Sequence, residues 1–79
     1  MTARVTLIGK PGCHLCDEAR AVIEEVCAEL AVGWVEVDIT GDPELVARWT
    51  DSVPVTLVRG EQHDFWRVSA ERLRAALRG

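Results

Sequence analysis

Two cysteines three residues apart, in GKPGCHLCDEA (9–19), sit at a junction between two periodicities. The run before them, RVTLIG (4–9), alternates and is rich in β-branched residues, which reads as a strand. After them Leu15, Ala19, Val22, Ile23, Val26, Cys27 and Leu30 recur at helical spacing, with Asp17 and Glu18 in the first turn. That pattern predicts an amphipathic helix from Leu15 to about Leu30. Cys13 therefore falls at the start of the helix, with Cys16 one turn further on. Three chemistries fit a thiol pair placed so: half of a zinc site, a structural clasp, or a working dithiol.

The rest of the chain continues the strand–helix alternation. WVEVDI (34–39) alternates strictly, with Val35, Val37 and Ile39 on one face and Trp34, Glu36 and Asp38 on the other, which predicts a half-covered or edge strand. Asp42 followed by Pro43 supplies an N-cap and a first-turn proline for a short helix through Leu45, Val46 and Trp49. PVTLVR and HDFWRV flank GEQ, a glycine-containing hairpin signal. Ser69 precedes a last helix whose apolar stripe is Leu73, Ala76 and Leu77. A strand–helix–strand unit closes with a right-handed crossover and parallel strands, whereas a hairpin is antiparallel. The expected class is α/β, with order βαβαββα and a mixed four-stranded sheet flanked by helices.

Length and charge narrow the chemistry. A chain of 79 residues holds one domain, expected over 1–79, and hides only about 60% of its unfolded surface. Its 48% hydrophobic and 28% charged residues suit a packed globule. Net charge is −4, and nine acids lie between Asp17 and Glu44 with only Arg20 opposing them, a poor surface for phosphate backbones. No nucleic-acid partner is expected. The late basic residues Arg67, Arg72, Arg74 and Arg78 suit the negative end of a terminal helix. The opening apolar run is shorter than a signal h-region, and no stretch approaches the ~20 apolar residues of a membrane helix. A cytoplasmic protein off the membrane is expected, in a compartment that keeps structural disulfides reduced. Three cysteines, an odd number, also argue against a disulfide scaffold.

Dithiol chemistry has physical reasons to want this arrangement. A cysteine at a helix start sits beside unpaired N–H groups and the positive dipole end, which favour thiolate over thiol. Lys10 and His14, when charged, add to that effect, and Asp17 and Glu18 oppose it. Side chains three apart on a helix have Cβ atoms about 5–6 Å apart, within disulfide span. A structural zinc site needs four ligands, and only Cys27, His14 and His63 remain to complete one. Cys27 lies 11 residues beyond Cys16 on the same helix, roughly 16 Å along its axis, and reads as a core residue. No metal ligands are expected.

The element order, the CxxC at the first helix and the Val-Pro pair opening the third strand resemble the thioredoxin fold in its short glutaredoxin form. GKPGCHLCDEA, DITGDPEL, VPVTLV and ERLRAAL resemble more closely a group of small glutaredoxin-like proteins, over nearly the whole chain. The resemblance implies a thiol–disulfide oxidoreductase, with Cys13 as nucleophile and Cys16 as resolving thiol. It also implies a cis Val53–Pro54 bond lying against the dithiol. Val53 and Pro54 then bind the substrate's cysteine backbone, Lys10 takes a substrate carboxylate, and His14 and Leu15 border the site. Substrates would be protein disulfides or low-mass thiol disulfides. Candidate reductants are glutathione, another low-mass thiol and a thioredoxin-type reductase, with no bound cofactor and a monomeric protein. The alternatives are an iron–sulfur or zinc-binding module of the same fold, or a non-catalytic interaction domain.

The chain departs from glutaredoxins at two places. RVSAE stands where glutathione users carry Gly-Gly and acidic residues, leaving Ser69 and the helix N-terminus as donors. The site dipeptide is His14-Leu15 where Pro-Tyr is usual. Both departures weaken glutathione as the partner and leave thiol chemistry at Cys13 untouched.

Overall fold

The computed structural model describes residues 4–65 and 68–78, with the side chains of 64 and 65 left undescribed. The elements are β1 (Val5–Gly9), α1 (His14–Leu30), β2 (Trp34–Asp38), a single 3-10 turn (Ile39–Gly41), α2 (Pro43–Trp49), β3 (Val55–Val58), β4 (Glu61–Phe65) and α3 (Ala70–Arg78). One sheet runs in the order β2-β1-β3-β4. β1 pairs parallel with β2 and antiparallel with β3, which pairs antiparallel with β4. This is the mixed four-stranded α/β sheet expected from the alternation.

β1 is central, so both of its faces are covered. Val5, Leu7 and Val58 pack with Ala19, Ile23, Val26 and Cys27 of α1 and with Leu73 and Leu77 of α3, forming a first core. Ile8 and Val55 form a second core with Cys16, Ile39 and Val53, flanked by Cys13, Val37 and the α2 residues Leu45, Val46 and Trp49. Each fully buried aliphatic side chain contributes about 1.5–3 kcal/mol relative to exposure. The first core holds α1 against the sheet. The second surrounds the carboxyl end of β1, where the thiols lie.

Local chemistry sets the ends of these elements. α1 ends with Ala31 in the left-handed region (φ 55), and Val32 N–H reaches Cys27 O at 2.9 Å. α2 opens as the Asp42-Pro43 pair predicts, with Asp42 Oδ1 accepting the Glu44 N–H at 2.9 Å. Ser69 Oγ accepts the Arg72 N–H at 3.3 Å and caps α3.

Three boundaries differ from the sequence reading. WVEVDI leaves the sheet one residue early, because Asp38 Oδ1 accepts the Thr40 N–H and turns Ile39 down into the second core. The hairpin loop is Arg59-Gly60 rather than GEQ, since both residues hold positive φ (54 and 83) and so match the twist of the strands they join. Glu61 and Gln62 therefore belong to β4, and His63 is an extra residue between Gln62 and Asp64 in the register. The later part of HDFWRV includes Trp66 and Arg67, which lie outside the described residues. One late arginine also has a task other than the helix dipole: Arg74 Nε lies 2.8 Å from Glu29 Oε2 and ties α3 to α1.

Candidate active site

Cys13 is the N-cap of α1, in extended conformation (φ −96, ψ 113), so the helix proper begins at His14, one residue before the apolar pattern. Gly12 before it takes φ +74, a conformation that glycine reaches without a Cβ penalty and that turns the chain from β1 into the helix. Cys13 Sγ accepts the Cys16 N–H at 3.2 Å, using one of the helix's unpaired first-turn donors. The Cys13 side chain is half-buried and Cys16 is 1% exposed. All three cysteines are free thiols.

The two thiols differ in their surroundings. Burial pushes the Cys16 thiol up to about 11, and its hydrogen bond to the Cys13 sulfur adds to the shift. The backbone N–H of Lys10 and the charge of Arg20 pull the other way. Gly9 ends β1 directly against this sulfur, since a Cβ at Gly9 would stand 3.1 Å from Cys16 Sγ. Cys27 belongs to the first core, as its place on the apolar stripe predicts, and burial raises its thiol as well.

Val53 and Pro54 are buried, and Val53 shares the second core with Cys16. Their peptide bond is cis, and the Val53 N–H donates to Trp49 O at 3.1 Å. Lys10 lines a groove of about 220 Å³ together with Gly9, Pro11, Arg20, Glu36 and Asp38. His14 is turned to solvent, 3.6 Å from Glu18, and Leu15 is half-buried beside it. The neighbours of Ser69, Val68 and Ala70, pack against the first core, and its hydroxyl caps α3.

Arg20 and Glu36 are participants that the sequence reading did not place here. Arg20 Nε donates to Glu36 Oε1 at 2.7 Å, Nη2 to Glu36 Oε2 at 2.6 Å, and Nη1 to Asp17 Oδ1 at 2.8 Å. The guanidinium holds the Glu36 carboxyl below the usual carboxylate range. The hydroxyl and N–H of Thr40 do the same for Asp38. The sequence signal for Arg20 was its isolation among acids, four residues after Cys16. Gly9 carried a signal too, as a glycine closing a buried strand. Glu36 carried none until the parallel pairing of β1 with β2 set it opposite Leu7. Among the described residues, no group of three or more His, Cys, Asp or Glu side chains is placed to hold a metal ion, and no helix is long and apolar enough to cross a membrane.

Comparison with known proteins adds three findings. Residues 4–78 match the family model described as Glutaredoxin-like domain (DUF836). Uncharacterized proteins of Mycobacterium tuberculosis and Mycobacterium bovis are 34% identical over 77 residues, covering 91% of this chain and 79% of theirs. The X-ray structure of a structural-genomics target from X. campestris superposes with a TM-score of 0.77 at 31% identity, covering 94% of this chain and 95% of that one. More distant is Fasciola hepatica thioredoxin, with TM-score 0.61, 19% identity, and coverage of 94% of this chain and 76% of that one. It shares the fold.

Proposed function

Because this chain belongs to the family of glutaredoxin-like domains with the thioredoxin fold, we propose that it is a thiol–disulfide oxidoreductase with Cys13 as nucleophile and Cys16 as resolving thiol. The observation that carries this reading is the asymmetry of the pair. Cys13 is the half-buried N-cap, and its sulfur receives the Cys16 N–H; Cys16 is buried behind it with a raised thiol.

The reaction follows from that placement. The Cys13 thiolate attacks one sulfur of a substrate disulfide, forming a mixed disulfide and releasing the first thiol. Cys16 then loses its proton and attacks Cys13 Sγ, closing the Cys13–Cys16 disulfide and releasing the second thiol. The substrate gains two electrons and two protons, and the protein is left oxidised. Before the first attack the Cys16 amide donates to the Cys13 sulfur, which ties the attacking atom to the amino end of α1.

The substrate-binding roles are carried over from the glutaredoxin-like family. The Val53 carbonyl, next to Pro54, offers a main-chain acceptor to a substrate cysteine, the Val53 N–H being given to Trp49 O, and Lys10 offers a charge for the substrate carboxylate. His14 and Leu15 form the outer border, and Ser69 with the amino end of α3 forms a further candidate contact. Substrates are protein disulfides or low-mass thiol disulfides. The reductant is glutathione, another low-mass thiol or a thioredoxin-type reductase, acting on a cytoplasmic monomer without a bound cofactor.

A disulfide-reduction assay tests this reading. Cys13→Ser should abolish exchange, and Cys16→Ser should leave substrate trapped on Cys13, read as a mass increase reversed by a thiol reductant. Exchange that persists in Cys13→Ser, or a trapped adduct on Cys16 or Cys27, overturns it.

A further inference from the structure

A buried resolving thiol has to become an anion to attack, and the groups facing it set how readily it does so. The structure places few such groups around Cys16. The core it shares is apolar: Ile39 of the 3-10 turn, Val53 before β3 and Val55 of β3, with Leu45, Val46 and Trp49 of α2 packed against that cluster. Cys13 is its neighbour on α1, and Lys10 presents its backbone N–H. His14 faces Glu18 in solvent. On the remaining side lies the groove that runs from Gly9, the residue packed on the Cys16 sulfur, to Arg20, Glu36 and Asp38.

Arg20 follows Cys16 by four residues, so the two stack one turn apart on the same helix face. Two carboxylates on different elements fix its guanidinium through three hydrogen bonds, a fork-shaped pair to Glu36 and a single bond to Asp17. A clamp of this kind holds an arginine far more rigidly than one exposed ion pair does. It is also one charge short of neutral, since two carboxylates surround one cation. Removing either side therefore shifts the charge facing Cys16 in opposite senses.

We infer that Arg20, clamped between Asp17 and Glu36, is a positioning residue that sets the charge facing the Cys16 sulfur when Cys16 attacks the mixed disulfide on Cys13. The inference rests on the dithiol reading and names a regulator of its second step. In that step the proton leaves Cys16, the Cys16–Cys13 S–S bond forms, the bond from Cys13 to the substrate sulfur breaks, and the electron pair leaves on the substrate thiolate. Arg20 lowers the cost of charge on Cys16, and Glu36 and Asp17 limit that gain. The cluster acts as a fixed charge setting, built across the α1–β2 junction.

The competing role is a plain strut joining α1 to β2, and the two roles separate by sign. Arg20→Gln and Glu36→Gln remove the same strut, so each should lower the melting temperature. Single-turnover reaction with the neutral disulfide of 2-mercaptoethanol then reads the bimolecular attack of Cys13 and the unimolecular release by Cys16 separately. Arg20→Gln should slow release about 3- to 10-fold at neutral pH, matching a loss of half to one logarithmic unit of thiolate. Glu36→Gln should speed it by a similar factor, and Arg20→Lys should stay close to the unmodified protein. Release that slows in both glutamine variants, in step with their melting temperatures, overturns the inference. Absence of any unimolecular release in the unmodified protein would instead remove the dithiol reading. In that event, opposite displacements of the Cys16 thiolate titration in Cys13→Ser backgrounds would still support the charge role of the cluster, and displacements in one direction would end it.

Discussion

Gly9 leaves no room for a side chain beside Cys16, strand end against sulfur: a Cβ at Gly9 would lie 3.1 Å from Cys16 Sγ and 3.4 Å from its Cβ. The Cys16 sulfur is therefore seated by the end of β1 as much as by its own helix. Gly9→Ala forces the sulfur to give way by a few tenths of an ångström inside a packed core. The expected cost is about 1–3 kcal/mol, the range for overpacking. Thermal melting should fall, and disulfide closure should slow more than the first attack by Cys13. Unchanged closure kinetics would mean that the helix alone positions Cys16.

Alkaline pH should destabilise the reduced protein through Cys16. Its folded-state thiol is raised to about 11 from an ordinary 9.0, so the folded state holds the proton more tightly than the unfolded chain. The stability is complete below about pH 9 and is lost as pH rises toward about 11, where the unfolded chain has already ionised. The loss is on the order of 3 kcal/mol. Burial raises Cys27 in the same direction. Melting temperature against pH should fall less steeply in Cys16→Ala than in the unmodified protein; parallel curves would contradict the assignment.

Alkylation should follow burial and protonation together. Cys13 is half-buried, whereas Cys16 and Cys27 are 1% and 2% exposed with raised thiols. A stoichiometric alkylating agent at neutral pH should label Cys13 first in the native protein, and all three cysteines after unfolding. Peptide mapping reads the order, and early labelling of Cys27 would argue against the first core as described.

The end of α1 offers a stabilising change. Ala31 is held at φ 55, in the left-handed region where a Cβ carries a steric penalty. Ala31→Gly removes that penalty and should raise stability by roughly 0.5–1 kcal/mol, less the extra freedom glycine has in the unfolded chain. Denaturant unfolding measures it, and a clear loss of stability would count against the cap geometry.

Glutathione should be a weak reductant of the oxidised protein. RVSAE replaces the glycine motif of glutathione users, and the Ser69 hydroxyl already serves the α3 cap. Loss of one charged clamp removes about 1.5–3 kcal/mol. That corresponds to roughly a tenfold to hundredfold drop in efficiency. Reduction rates with glutathione, with thioredoxin and its reductase, and with other low-mass thiols give the comparison. Turnover with glutathione at the level of a dithiol glutaredoxin would disprove the expectation.

The periodicities and caps carried most of the fold. Alternation marked β1 and β2, the helical stripe marked α1, and Asp42-Pro43 and Ser69 marked the starts of α2 and α3, because each is a local preference written in adjacent residues. The hairpin loop is not legible locally, because Arg59 is an unusual residue for positive φ and GEQ carries the stronger turn signal. At the site, Cys13 and Cys16 were legible from their spacing and from the helix that follows. Arg20 and Glu36 were not, since their pairing depends on α1 crossing back to β2, a separation of sixteen residues bridged only by the fold. Gly9 was legible as a strand end and illegible as the seat of a sulfur.

The two cores divide the molecule's obligations. The first, between α1, α3 and the sheet, contains no residue assigned to chemistry, while Cys13, Cys16 and Val53 all belong to the second or border it. A small protein whose thiols were embedded in its main core would refold part of itself each time they opened or closed. On the dithiol reading the redox event is confined to the lesser half, beyond the carboxyl end of a strand whose other end is anchored elsewhere. The larger half can then stay indifferent to the state of the thiols, so residues around them are free to vary without endangering the fold that carries them.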